Sequence, residues 1–228
     1  MTPSFSFFDF GCWLVVFLVS TSAHEAAHAM VAKRLGDPTA YHGGQATLNP
    51  IPHIRREPFG MLLVPILSYA ASGWMIGWAS APYNPNWAAQ FPRRAAVMAL
   101  AGPAANFTIA LLSWFGLKLG LAAGVFIPGF GGGFSETVVS TSGGLWQLAA
   151  VLLSLGFALN LLLGVFNLIP FPPLDGSALP LLFLPSPLAA SYQKISRSGL
   201  AVLGLLVAWQ VFPRIYRPIW FWMESTLR

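Results

Sequence analysis

Apolar residues fall in long blocks along this chain, separated by short stretches in which proline, glycine and charge collect. A first block covers residues 10–35, long enough as a helix to cross roughly 30 Å of hydrocarbon. Residues 36–57 are polar and punctuated by Gly43, Gly44, Pro50 and Pro52, which predicts a loop or small β element with a short strand at 45–48. Residues 59–80 are apolar again, but Pro65, Gly73 and Gly77 weaken a continuous helix there. A polar connection with Pro82, Pro85 and Pro92 leads to Arg93 and Arg94, and further spans are predicted over 95–119 and 145–169. Residues 120–144 between them form a glycine-rich connection; its triplet Gly131, Gly132 and Gly133 lacks the Lys-Ser/Thr ending of a phosphate loop and reads as a flexible joint. Pro170, Pro172 and Pro173 end the last of these helices, because proline has no amide donor and clashes with the preceding turn. The chain closes on an apolar segment near 200–212 and an aromatic group with Tyr216, Trp220 and Trp222, rings that suit the headgroup boundary.

Composition fixes the class. With 56% hydrophobic and 8% charged residues, nine tryptophans and eighteen phenylalanines, a soluble domain of this length would lack the polar surface to cover itself. The expectation is an all-α integral membrane protein, a multi-span helical bundle with a small β element after the first span and a re-entrant segment at 59–80. The 228 residues are nearly consumed by apolar segments, so one membrane-embedded domain is expected, with a core over about 10–176 and accessory C-terminal helices over about 177–228. The first block is not read as a cleavable signal peptide: Asp9 precedes it without Lys or Arg, and it carries polar residues where small ones would be needed. Cys12 is the single cysteine, which excludes an internal disulfide and a multi-thiolate metal site. The net charge of +5 comes from basic residues scattered beside membrane segments, a membrane-orientation pattern that argues against nucleic acid as a partner.

Inside the first apolar block stand His24, Glu25 and His28. Two imidazoles four apart on a helix share one face, about 5–6 Å apart at Cβ, which suits two ligands of one zinc ion with the glutamate beside them as base. Ionisable groups within hydrocarbon are expensive and mark a functional site by default. A catalytic zinc site takes three protein ligands and leaves a position for water, so a carboxylate near a break in a span is needed. Asp175 is the only acid between Glu136 and Glu224, and it follows the 145–169 span through Asn167-Leu168-Ile169-Pro170 and Leu174-Asp175-Gly176.

At these residues the sequence resembles the site-2 protease family of intramembrane zinc metalloproteases, which pairs a His-Glu-x-x-His helix with an Asn-x-x-Pro…Leu-Asp-Gly segment. The run Gly102-Pro103-Ala104-Ala105-Asn106 looks like the Gly-Pro…Asn helix between them, and the resemblance covers roughly residues 10–176. It implies that His24, His28 and Asp175 bind one zinc ion, that Glu25 is the general base, and that Asn167 steadies the substrate backbone or oxyanion. Asn106 then serves substrate positioning or interhelical bonding, and the substrates implied are membrane-spanning proteins trimmed by an earlier cut. Gly102, Ala104 and Ala105 read as close-packing residues. Ser20, Thr21 and Ser22 are either donors behind the histidines or bonds to their own helix. His42 and His53 are candidates for substrate positioning or access to the metal, against a plain surface or hydrogen-bonded role. The run Pro52-His53-Ile54 is followed by Arg55, Arg56 and Glu57 where short members carry aspartate.

Topology constrains the reading further. Three full crossings between His28 and Asp175 would place the ligand-bearing ends on opposite faces, so 59–80 is expected to re-enter and return. Lys33, Arg34, Arg55, Arg56, Arg93, Arg94, Lys194 and Arg197 then share one side, and 120–144 has no Lys or Arg. The positive-inside rule directs the active-site end to the cytoplasm, of a bacterial or archaeal inner membrane given the short chain without disulfides. The strand candidate at 45–48 is expected to receive an unwound substrate by strand addition. Two rival functions stand beside the protease: a catalytically silent member binding membrane helices as a regulator, and a transporter using intramembrane His and Asp, which would need polar residues along several spans. A prenyl-peptide protease would need its acidic ligand in a different helical motif. Oligomeric state is not set by the sequence.

Overall fold

The computed structural model describes residues 6–129, 133–196 and 201–228; Gly131, Gly132, Arg197 and Leu200 lie outside them. Helix α1, Phe7–Leu35, starts where the Ser6 hydroxyl accepts the Asp9 N–H and stops at Gly36, whose φ of 107° only glycine adopts readily. Short helices α2 (Thr39–His42) and α3 (Pro50–Arg56) fold over its end. After a further small helix α5 (Pro85–Gln90), the long helix α6 (Pro92–Ala122) returns antiparallel to α1, and α7 (Leu145–Asn167) runs antiparallel to α6. The directions follow from paired residues: His28 meets Met98 while His24 meets Asn106, and between α6 and α7 Phe107 lies against Gly164 while Ser113 lies against Gly156. These three helices are long and apolar enough to cross a membrane, and the chain is an integral membrane protein. Against lipid, packing rather than water exclusion holds such faces together, so small side chains matter: Ala29, Ala96 and Ala158 are fully buried at helix contacts.

Residues 59–80 do not cross. A π-helical turn, Phe59–Leu63, leads into α4, Val64–Ser72, and after Gly73 the chain comes back extended. The Trp78 N–H donates to the Gly60 carbonyl at 3.1 Å, Ile76 N–H to the Ser68 hydroxyl at 2.9 Å, and the Ser80 hydroxyl to Glu57 at 2.5 Å. A Cβ on Gly60 would strike the Trp78 carbonyl and one on Gly77 the Gly60 carbonyl, so the hairpin closes because both positions are glycine. The chain therefore returns to the end of α1 before α6 begins, as the topology argument requires.

A small two-stranded sheet does form after the first span, but not at 45–48. β1 (Phe126–Pro128) and β2 (Val138–Ser140) pair antiparallel in the connection between α6 and α7, with Phe126 opposite Ser140. Residues 45–48 form bends, not a strand. Their polar groups are taken locally: the Thr47 hydroxyl accepts the Asn49 N–H, the Asn49 side chain caps α3, and the Thr47 carbonyl faces the His53 ring at 2.9 Å.

After α7, a 3-10 helix (Asp175–Leu182) and α8 (Ser186–Ser196) precede α9 (Ala201–Ser225). The apolar C-terminal segment does not stop at Phe212 but continues helical through Pro213 and Pro218. Three of its aromatic residues pack inward: Phe212 meets Phe166 edge-on at 5.2 Å, the Tyr216 hydroxyl reaches the Ala158 carbonyl at 3.5 Å, and Trp220 stacks on Phe157 at 5.6 Å. Tyr216 is buried and Trp220 half-buried, which corrects the boundary-belt expectation; Trp222 alone of the three stays exposed, at 67%.

Candidate metal centre

α1 delivers His24, Glu25 and His28 to its inner face, and the break after α7 delivers Asp175. The Asp175 position depends on its neighbour: a Cβ on Gly176 would collide with the Leu168 carbonyl, so only glycine lets the 3-10 helix start against the end of α7. The His24 Nε2 and His28 Nε2 atoms lie 3.0 Å apart, and Asp175 Oδ2 lies 3.1 Å from the first and 3.4 Å from the second. Both imidazoles and Glu25 are buried, between 6% and 8% exposed.

The hydrogen bonds behind the rings decide what faces this point. The Met98 carbonyl can only accept, so His28 Nδ1, 2.8 Å away, carries a proton, and the neutral ring then presents a lone pair at Nε2. The Gly156 carbonyl likewise only accepts, which makes the Asn160 atom bonded to it the amide nitrogen, donating also to the Ser20 hydroxyl. Asn160 Oδ1 then accepts from Asn106 Nδ2 at 2.8 Å, and Asn106 Oδ1 accepts the His24 Nδ1 proton at 2.6 Å. Neutral His24 consequently also turns an Nε2 lone pair inward. Two nitrogen lone pairs and a carboxylate oxygen that receives no other donor converge on one point. Space for an ion is kept open by Gly102, where a Cβ would collide with both Nε2 atoms. Such a nitrogen and oxygen donor set, with rings oriented from behind, fits zinc.

A cavity of about 240 Å³ opens over the three ligands; Glu25, Ser80, Tyr83 and Asn167 contribute to its walls. The extended run 79–83 forms one wall, so the returning arm of the hairpin sits over the site. Asn167 reaches this cavity while its amide donates to the Leu163 carbonyl at 3.1 Å. Asn106 is fully buried behind His24 and is no part of the wall. His42 and His53 are not brought to the site: His42 is exposed beside Tyr41, and His53 is buried on the Thr47 carbonyl. Of the hydroxyls before the histidines, Ser20 joins the chain behind His24, Thr21 bonds its own helix at Phe17, and the Ser22 hydroxyl is buried without a partner among the described residues.

Sequence reasoning missed Met98 and Asn160 and read Gly102 as packing. Only a Gly-Pro…Asn run hinted that this stretch of α6 backs the histidines.

The profile of peptidase family M50 matches residues 12–207. A Bacillus subtilis protein, YwhC, is 38% identical over 165 residues, covering 72% of this chain and 64% of its own length. A Mycolicibacterium smegmatis protein is 32% identical over 70% of this chain and 52% of its own length, and a Mycobacterium tuberculosis protein 32% identical over 72% and 29%. All three are named as candidate zinc metalloproteases, and the matched region spans less than two thirds of each. No solved structure matches the chain.

Proposed function

Since the chain belongs to peptidase family M50, we propose that it is a zinc-dependent intramembrane endopeptidase that hydrolyses a peptide bond in membrane-spanning protein substrates. The observation that carries this reading is the convergence of His24, His28 and Asp175 on one point, with buried Glu25 beside them under a cavity. His24, His28 and Asp175 would hold a single zinc ion. When bound, zinc polarises the scissile carbonyl and acidifies a water molecule. Glu25 takes the proton from that water and later delivers it to the leaving amine. Asn167, on the cavity wall, offers its amide to the developing oxyanion without titrating. Asn106 and the Met98 carbonyl hold the rings in the tautomer that ligation needs.

A helical substrate hides its carbonyls in internal hydrogen bonds and must open to be cut. The extended run 79–83, rather than 45–48, is the stretch beside the ligands along which an opened segment can lie. The cluster of Lys33, Arg34, Arg93 and Arg94 at the ends of α1 and α6 supports an active-site end turned to the cytoplasm of a bacterial or archaeal inner membrane.

The test is cleavage of a membrane-spanning model substrate by the reconstituted protein. Cleavage is expected to stop with a chelator, return with zinc, and be lost in Glu25→Gln while zinc stays bound. Unaltered cleavage by Glu25→Gln overturns the proposal, and zinc binding without any cleavage by the parent favours the silent regulator.

A further inference from the structure

A second cavity, about 340 Å³, lies between α1, α7, α9 and the returning hairpin arm, and its walls are almost wholly apolar: Phe17, Trp74, Leu163, Phe166 and Phe212 among them. One charged residue lines it, Arg217. Trp209 at the cavity is 54% exposed, so the groove is open on the α9 side. Among the described residues the one Arg–carboxylate pair is Arg228 with Glu224, and Arg217 meets no carboxylate. The Tyr216 hydroxyl lies 3.5 Å from the Ala158 carbonyl, near the middle of the span α7, which sets the adjacent, exposed Arg217 level with mid-span. An arginine at that depth is costly unless an anion joins it.

Resting on the protease reading above, we propose that this groove docks the membrane-spanning segment of the substrate and that Arg217 selects segments carrying an Asp or Glu within the bilayer. Three observations converge. The hairpin arm that lines the groove at Trp74 to Gly77 continues into the wall of the metal cavity at 79–83, so the two cavities share one side. Lipid phosphates lie at the membrane surface, about 15 Å from the midplane, whereas a side-chain carboxylate can sit at the depth of Arg217. The tier of Asn160 and Ser20 lies one turn from His24, which places the selected carboxylate within roughly two helical turns of the scissile bond.

The probe is a fluorescent transmembrane peptide of about 25 residues of Leu and Ala with one central Glu or Gln. Its binding is measured to the full chain carrying Glu25→Gln, in phosphatidylcholine nanodiscs. The Glu peptide is expected to bind roughly tenfold more tightly, as a charge-assisted bidentate pair allows. That preference should vanish in Arg217→Gln, with Gln-peptide affinity unchanged as proof of a folded groove, and should turn toward a Lys peptide in Arg217→Glu. Equal binding of the two peptides, or a preference that survives Arg217→Gln, overturns the proposal. Loss of the preference when phosphatidylglycerol is added assigns the groove to lipid and also overturns it. Because binding is read without cleavage, a parent enzyme that cuts neither peptide counts against the protease reading alone.

Discussion

Three acceptor atoms pointed at each other repel unless a cation lies among them, and this chain fixes two of them from behind. The Met98 carbonyl and the relay from Asn106 through Asn160 to Gly156 set the proton on each Nδ1. Asn106→Ala is therefore expected to weaken zinc by roughly 10–100-fold, read by competition with a chromogenic chelator; parent-like affinity would refute the relay. Gly102→Ala should cost more, since its Cβ enters the space between the two Nε2 atoms. Its diagnostic is low metal content in a protein that keeps its helical circular dichroism. At this scale the sequence was readable where spacing is local: His24, Glu25 and His28 share one helix face whatever surrounds them, and Leu174-Asp175-Gly176 announces itself at a helix break. Met98 and Asn160 were not, because their roles depend on the register between α6 and its neighbours, and a backbone carbonyl leaves no trace in residue type. His42 and His53 looked available for the same reason in reverse: nothing in the sequence says that α2 and α3 hold them away from the cavity.

The elements that matter most for the site are the hairpin and the turn that anchors it. Gly77→Val would drive the returning arm off Gly60 and remove the wall at 79–83, so it should lower cleavage while zinc binding persists. Retained cleavage would contradict the role given to that arm. Asp37 ties the end of α1 to the chain before α5, accepting the Thr39 N–H and hydroxyl on one oxygen and the Asn84 N–H at 2.7 Å on the other. Burial raises this carboxyl, but those hydrogen bonds outweigh it and hold it below its usual 3.8. A depressed folded pKa gives stability that is present above the unfolded value and lost as pH falls through the folded one. Asp37→Asn should thus lower stability by about 1–3 kcal/mol at neutral pH, with the gap to the parent closing in acid below about pH 4. A thermal-shift series across pH in detergent reads this. The return of 59–80 could be inferred from Pro65 and its glycines together with the need to unite the ligands. The bends at 45–48 could not, because Thr47 and Asn49 compete for the backbone in ways that alternation of residue types does not reveal.

For the whole molecule, three crossing helices and one returning hairpin bring the two ligand-bearing arms to the same end. Cysteines introduced at exposed Asn86 and Ser142, on a Cys12→Ser background, should accordingly be labelled from opposite faces of the membrane; labelling from one face would contradict the topology. The apolar blocks made this plan legible, since a span has few alternatives in hydrocarbon. The course of α9 through Pro213 and Pro218 was not legible: its aromatic ridge on α7 outweighs the helix-breaking tendency that proline shows in isolation. The central claim is that His24, His28 and Asp175 form one coordination sphere. Metal analysis of the detergent-purified protein tests it most directly. One zinc per chain is predicted for the parent and a large loss in both His24→Ala and Asp175→Ala, whereas parent-level zinc in either variant would contradict the account.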